Sequence, residues 1–497
     1  MARGMRQRRH TRDRRWLPAV CLAIVVASTV GGADLGAADP QTGVATPANT
    51  AWALNAAFLV LLMPVGFTLL TCGLVQRKNA AHLVMLNLTA YVVAWLAYYA
   101  VGYAFQFGAV LLDPTRAAGG SDLNGFLIGS GRWGFLGGRG FFLTGPASIP
   151  GSQAFIVFNA AVMTMAGYVI VGAVCERMTF WAFVLCEIFI AAFLYPIFGC
   201  WVWGGGWLSQ LGTFGLGHGY VDFAGSTVVH AVGGFAAMAL SVILGPRIGK
   251  YGPRGEANAF PAHNIVFVVV GTLVLLFGWM GFNSGSTFET TDLNIARIAL
   301  NTGLAAAGGS AAAIVVWYLA FHMPDISMAC SGLVGGLVAI SASCAFVGPN
   351  AALVIGILAG VLVCGGVLFN DRVLRVDDPC GTIPVHGYCG WLGALAVGIF
   401  ADGSYGVGWN GVGTIQYLGR AGQGVTGLLH GDASQFLVQL AGATLSVAYA
   451  FGLTYAVFAL VNGGRALRVQ RDVELEGLDL PEFGMLAYPE EGTNPLE

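Results

Sequence analysis

Two histidines stand at matched places in this chain. DFAGSTVVH runs from Asp222 to His230, and DDPCGTIPVHGYCG carries Asp378 with His386 eight residues on. Each histidine follows a valine, and each has a glycine four residues later, Gly234 and Gly390. Both lie near the start of long apolar runs. A full charge at the centre of a membrane helix costs about 2.5–3.5 kcal/mol on insertion scales, so an ionisable group there usually marks a pathway. A single intramembrane histidine is often a core residue donating to a neighbouring helix. Two at matched positions point instead to a close pair, neutral or singly protonated, that titrates as a unit. Such a pair offers one N–H donor and one lone pair to something small crossing an apolar bore.

The flanking carboxylates have a plainer reading. Asp222 and Asp378 stand at helix N-termini, where an acid caps free backbone N–H groups and is favoured by the dipole. Asp222 could also hold a cation at one mouth of the bore. Two aromatic stretches complete the set: WVWGGGW (201–207) and FGWMGFNSGS (277–286), with the hydroxyls Ser284 and Ser286. A Trp face beside a hydroxyl can capture a monovalent cation, at about 0.5–2 kcal/mol for a cation over a ring. By composition alone both stretches read first as an interfacial aromatic belt.

The elements that position these residues are membrane spans. Of 497 residues, 56% are hydrophobic and only 10% charged, which points to a polytopic membrane protein rather than a soluble one, and no basic patch with interleaved aromatics marks a nucleic-acid partner. The 74 glycines suit helices that approach closely in lipid. The ten cysteines are scattered, with no CxxC pair, and read as small buried hydrophobes. Eleven runs are long enough to span: 51–74, 83–107, 155–174, 180–201, 225–244, 264–282, 298–321, 328–346, 350–369, 384–400 and 436–461. Loops after the odd-numbered spans hold eleven Lys/Arg against five in the other set. The positive-inside rule then puts the N-terminus outside and the C-terminus in the cytoplasm. Spans five and ten, which carry the histidines, are an odd number apart and run oppositely. Matched motifs in oppositely directed halves are the trace of an inverted repeat with its site at the midplane.

The expected organisation is therefore an all-α polytopic membrane protein. It has 11 transmembrane helices, an inverted 5+5 repeat plus an eleventh helix, and N-out/C-in topology. Residues 1–38 read as a signal peptide, since RGMRQRRHTRDRR is followed by an apolar stretch and small residues, with cleavage near 33–38. Residues 48–464 form the membrane domain and 465–497 a cytoplasmic tail.

These motifs together resemble the Amt/Mep/Rh family of ammonium transporters, over nearly the whole mature chain. The resemblance is carried by GLVQRKN, GAVCERMTF, DFAGSTVVHAVGG, LGPRIGKYG, GWMGFNSGS, DDPCGTIPVHGYCG and the tail's EGLDLPEFGMLAY. The Amt branch fits better than Rh. The resemblance implies a multi-pass inner-membrane homotrimer with a pore in each subunit, lined by His230 and His386. It implies an outer ammonium site of Trp203 and Ser286, with Asp222 tied to its integrity and charge. Phe282 matches the inner member of a stacked phenylalanine pair at the pore mouth. The chain departs from the family at Val162, where the outer gate phenylalanine usually stands, with Phe158 four residues earlier. Span one also has LLTCGL where many members carry an aromatic pair before the glycine.

Ammonium/ammonia is thus the expected substrate, with membrane lipid around the trimer, no cofactor and no metal. The tail resembles one that helps a PII-type signalling protein plug the pore, although Phe483 replaces a common histidine. The rival readings are an ammonium sensor with little flux, an Rh-like neutral gas channel, and an intramembrane metal enzyme. Against the last, the chain has no HExxH and no GxSxG, so it is not expected to be an enzyme and no catalytic residue is assigned.

Overall fold

Apolar runs of this length must satisfy their backbone polar groups internally, which in lipid leaves the helix as the local solution. The computed structural model describes residues 47–109, 125–148, 150–288, 290, 294–404, 424–464 and 467–489. The expected signal peptide, 1–38, lies outside the described residues.

Among the described residues, ten helices are long and apolar enough to cross a bilayer, each on one of the expected spans. They are α1 (Pro47–Leu74), α2 (Arg77–Phe107), α3 (Ser152–Val174), α4 (Phe180–Phe214), α5 (Ser226–Leu244), α6 (Ile265–Gly285), α7 (Asn294–Phe321), α9 (Pro349–Leu374), α10 (Ile383–Phe400) and α11 (Ala433–Gly464). The remaining expected span, 328–346, forms the shorter apolar helix α8 (Ile326–Ser341). Local signals set several starts. Asn264 and Asp325 accept the backbone N–H of Phe267 and Met328 at 3.1 and 3.0 Å, and Pro349 opens α9. Between α2 and α3 a short antiparallel hairpin pairs β1 (Phe126–Ser130) with β2 (Trp133–Gly137).

The packing repeats. Contacts of α1 with α3, α2 with α3 and α4, and α3 with α5 recur as α6 with α8, α7 with α8 and α9, and α8 with α10. The halves then meet through α1 against α6 and α5 against α10. Glycine permits the tightest crossing: a Cβ on Gly309 would fall 2.2 Å from the Gly332 carbonyl, and one on Gly360 2.2 Å from the Gly309 carbonyl. α11 packs on α5 and α10.

The tail is pinned to the bundle at one end, hereafter the tail face. It forms α12 (Arg471–Glu476) and α13 (Asp479–Phe483). Asp479 accepts the N–H groups of Ala81 and His82 at 3.1 and 2.8 Å, and Glu482 that of Phe180 at 3.0 Å. Two tail carboxylates thus cap the first turns of α2 and α4, where the orphan N–H groups and the dipole favour them. Arg468 binds the Leu244 and Pro246 carbonyls and Glu474. Behind this, buried Arg247 pairs with Asp377 (2.8 and 2.9 Å) and with Glu176, and Arg177 donates to the Asp377 carbonyl at 2.7 Å.

Candidate functional site

The two histidines meet. Nδ1 of His386 lies 3.1 Å from Nδ1 of His230, with ring centroids 5.2 Å apart and planes inclined by 27°. One Nδ1 must carry the proton and the other the lone pair. The two Nε2 atoms then differ, one a donor and one an acceptor. The Nε2 of His230 is buried with no partner. Both residues sit on single π-helical turns, Ser226–Ala231 and Ile383–Tyr388, so the matched motifs give matched backbone irregularities. Such turns are frequent at functional sites.

The caps build these turns. The Asp222 carboxylate is fully buried and accepts the N–H groups of Gly225, Ser226, Thr227 and Val228 and the Thr227 hydroxyl, at 2.7–3.0 Å. Asp378 accepts Ile383 N–H at 2.6 Å and the Thr382 hydroxyl at 3.1 Å. Burial pushes the Asp378 carboxyl up to about 6 in spite of these bonds. Burial would also raise Asp377, but the Arg247 hydrogen bonds and the Arg177 and Arg247 charges outweigh it and hold that acid near about 2. The glycines four residues beyond each histidine make the approach possible. A Cβ on Gly234 would fall 2.3 Å from the Gly387 nitrogen, and one on Gly390 2.3 Å from the Ser226 carbonyl.

Apolar rings enclose the pair. Trp279 stacks on His230 (5.0 Å, 20°), held by its indole N–H on the Ser341 hydroxyl at 2.9 Å. Phe67 lies 5.8 Å from His386 and stacks on Tyr168 at 5.5 Å. Among the described residues no group of three His, Cys, Asp or Glu side chains is arranged to hold a metal ion.

The remaining expected residues divide. Trp203 is buried, its indole N–H donating to the backbone carbonyl of Asp222 at 2.7 Å, so the capped loop also fixes this ring. Its edge lies 3.1 Å from where a Gly225 Cβ would stand. Ser286 is half-buried, and its hydroxyl donates back to the Phe282 carbonyl at 2.9 Å. Phe282 has His230 and Trp279 as ring neighbours, at 5.8 and 5.5 Å. Phe158 stands edge-on to Phe288 at 5.0 Å and against Gly285. Val162, buried one turn along α3, offers no ring. Sequence reasoning did not single out Trp279, Phe67, Thr227 or Phe288. Thr227 lay inside the quoted DFAGST stretch and Trp279 inside FGWMGFNSGS, but no spacing rule singles out either.

The Ammonium Transporter Family profile matches residues 51–488. The chain is 38% identical over 475 residues to the ammonium transporter Amt2 of Archaeoglobus fulgidus, covering 95% of this chain and 94% of that one. Among solved structures it resembles a sensor Amt protein (TM-score 0.75, 32% identity, 88% and 98% coverage). It also resembles Mep2 of Saccharomyces cerevisiae (TM-score 0.72, 27% identity, 87% and 90% coverage). The chain belongs to the ammonium transporter family.

Proposed function

We propose that the protein transports ammonium by stripping it of a proton and conducting ammonia past the His230–His386 pair. The observation that carries this reading is the pair itself: two imidazoles 3.1 Å apart, on matched π-turns, inside an apolar ring wall. Ammonium and potassium are alike in size and charge, so fit alone separates them poorly. Ammonium can shed a proton and potassium cannot. An apolar bore excludes both ions by desolvation, whereas ammonia needs only replacement hydrogen bonds. The imidazole pair supplies them, one nitrogen donating and one accepting.

Recruitment falls to Trp203 and Ser286 at the end remote from the tail, with Asp222 ordering the Trp203 loop. Phe282, Phe158 and Val162 form the mouth below, which is less aromatic than in relatives with a phenylalanine at the Val162 position. The remote end faces outward across the inner membrane and the tail faces the cytoplasm. Residues 48–464 form the transport domain of a homotrimer, and 465–497 the tail that a PII-type protein would engage.

A second reading, an ammonium sensor with little flux, draws on the resemblance to a solved sensor Amt protein and on Val162. The test is the current from purified protein in proteoliposomes after an ammonium jump, with potassium as control and an internal-pH dye alongside. Ammonium-selective flux lost in the His230→Ala/His386→Ala double variant upholds transport through the pair. Tight ammonium binding with neither current nor pH change selects the sensor. Flux unchanged in the double variant would sink the histidine mechanism.

A further inference from the structure

Glu187 has no part in the site described above, yet it is a carboxyl inside a membrane helix. It stands on α4 seven residues after Phe180, about 10 Å along the axis from the tail face at 1.5 Å per residue. The side chain is fully buried, and neither carboxyl oxygen has a hydrogen-bond partner. It packs on the α3 backbone: a Cβ on Gly167 would fall 2.2 and 2.5 Å from the two oxygens, so the missing side chain there makes its room. The titratable groups around it are the Tyr168 phenol on α3, with Tyr91 of α2 next to that, and the neighbouring Cys186 thiol. No cation faces it among the described residues.

A carboxylate held here without a counter-charge would forfeit its hydration for nothing, so the group is carried as the neutral acid. Even the neutral acid breaks the rule that buried polar groups are paired, and such exceptions call for an explanation. Were bulk alone required, leucine or methionine would fill the place more stably. Packing links it to the imidazoles. Gly167 precedes Tyr168, whose ring stacks on Phe67, and Phe67 lies 5.8 Å from His386. Three residues beyond Glu187 begins the π-turn Ile190–Leu194, and the carbonyl of Ala191 within it lies 2.5 Å from the Cβ position of Gly102, in the α2 π-turn Tyr98–Gly102. Paired irregular turns beside an unpartnered acid mark a place built to change state rather than to fill space.

We propose that Glu187 is a second proton-binding site of this protein, separate from the imidazole pair, which releases and regains a proton during transport. The inference rests on the reading that ammonium crosses as ammonia with its proton handled apart. In the step, the Glu187 O–H bond breaks and its electron pair stays on the carboxylate. The proton passes to a small base, water or ammonia, and the reverse transfer restores the acid.

Glu187→Gln separates this from a structural role, because the amide keeps the size and neutrality of the protonated acid and removes only the exchangeable proton. Purified wild type and E187Q are compared in proteoliposomes for current per ammonium taken up, and by infrared difference spectroscopy on adding ammonium. The expected result is E187Q that melts as wild type but carries about a hundredfold less current, the low end of what a positioned proton-transfer group contributes. A neutral-carboxyl band should respond to ammonium in wild type and be missing in E187Q. Wild-type current per ammonium in E187Q, or a carboxyl band indifferent to ammonium and pH, would overturn the proposal. If wild type itself carries no current, the band alone decides. Failure of the histidine mechanism shows separately, as unchanged flux in the double histidine variant.

Discussion

Replacing Gly234 with alanine should part the two imidazoles without unfolding the protein. The new Cβ would sit 2.3 Å from the nitrogen and 2.5 Å from the Cα of Gly387, both backbone atoms that cannot swing aside. Ordinary contact begins near 3.4 Å, so α5 and α10 must separate by about 1 Å at this crossing. A 3.1 Å hydrogen bond stretched toward about 4 Å is no longer one. Overpacking of this kind costs about 1–3 kcal/mol, and alanine returns about 1 kcal/mol of helix propensity. The net effect on stability is therefore small, at most about 2 kcal/mol. The effect on transport should be larger, about tenfold or more, since tenfold corresponds to only 1.4 kcal/mol at the barrier. Ammonium flux in proteoliposomes and thermal unfolding in one detergent are measured together. Gly452→Ala is the control, because nothing lies within 4 Å of its Cβ position on α11. Wild-type flux in G234A with an unchanged melting temperature would refute the idea that this close crossing sets the imidazole pair.

Three further outcomes follow from the polar contacts. Asp222→Ala strands four buried N–H groups, each worth about 1–3 kcal/mol when unpaired, so it should lose about 4 kcal/mol or more, with Asp222→Asn losing less; thermal unfolding followed by tryptophan fluorescence checks this. Asp479→Ala with Glu482→Ala removes two helix caps at about 0.5–2 kcal/mol each, and should open the tail to limited proteolysis while the spans stay folded. Asp377, held near about 2 against an ordinary value of about 4, contributes stability that is present above the ordinary value and lost as pH falls through its folded value. Acid unfolding should therefore steepen between about pH 4 and 2, and Asp377→Asn should flatten that limb.

The spans and the paired histidines were legible because each rests on a strong local signal. Apolar length fixes a span, and two eight-residue Asp-to-His spacings in oppositely directed spans fix a repeat. The π-turns were not legible, because Asp222 gathers four N–H groups and Asp378 one N–H and a hydroxyl onto a carboxylate, a choice invisible to periodicity. Phe282 illustrates another limit. Its place in a motif was read from sequence, but its ring neighbours, His230 and Trp279, depend on how α5 and α6 pack. The tail was read only as a cytoplasmic appendage. Its carboxylates find their partners on α2 and α4, 398 and 302 residues away in sequence, which no local pattern encodes. Glu187 was the clearest missed signal, one acid within an apolar run, visible in the sequence but outside every motif.

The two aspartates explain why the site is built as it is. An acid beside a candidate conduction path suggests direct attraction of a cation. Asp222, however, has no exposed surface, and its oxygens already take five donors. A cation could reach it only by displacing bonds that hold the His230 turn together. Its backbone carbonyl meanwhile receives the Trp203 indole N–H. One residue thus fixes both the Trp203 ring and the turn that carries His230. Asp378 repeats the cap on the opposite half with fewer bonds and a partly exposed side chain. The inverted repeat therefore gives two similar turns but not two equivalent ends. At the end carrying Trp203 the cap is buried and takes five donors, whereas at the tail end the cap beside His386 takes two.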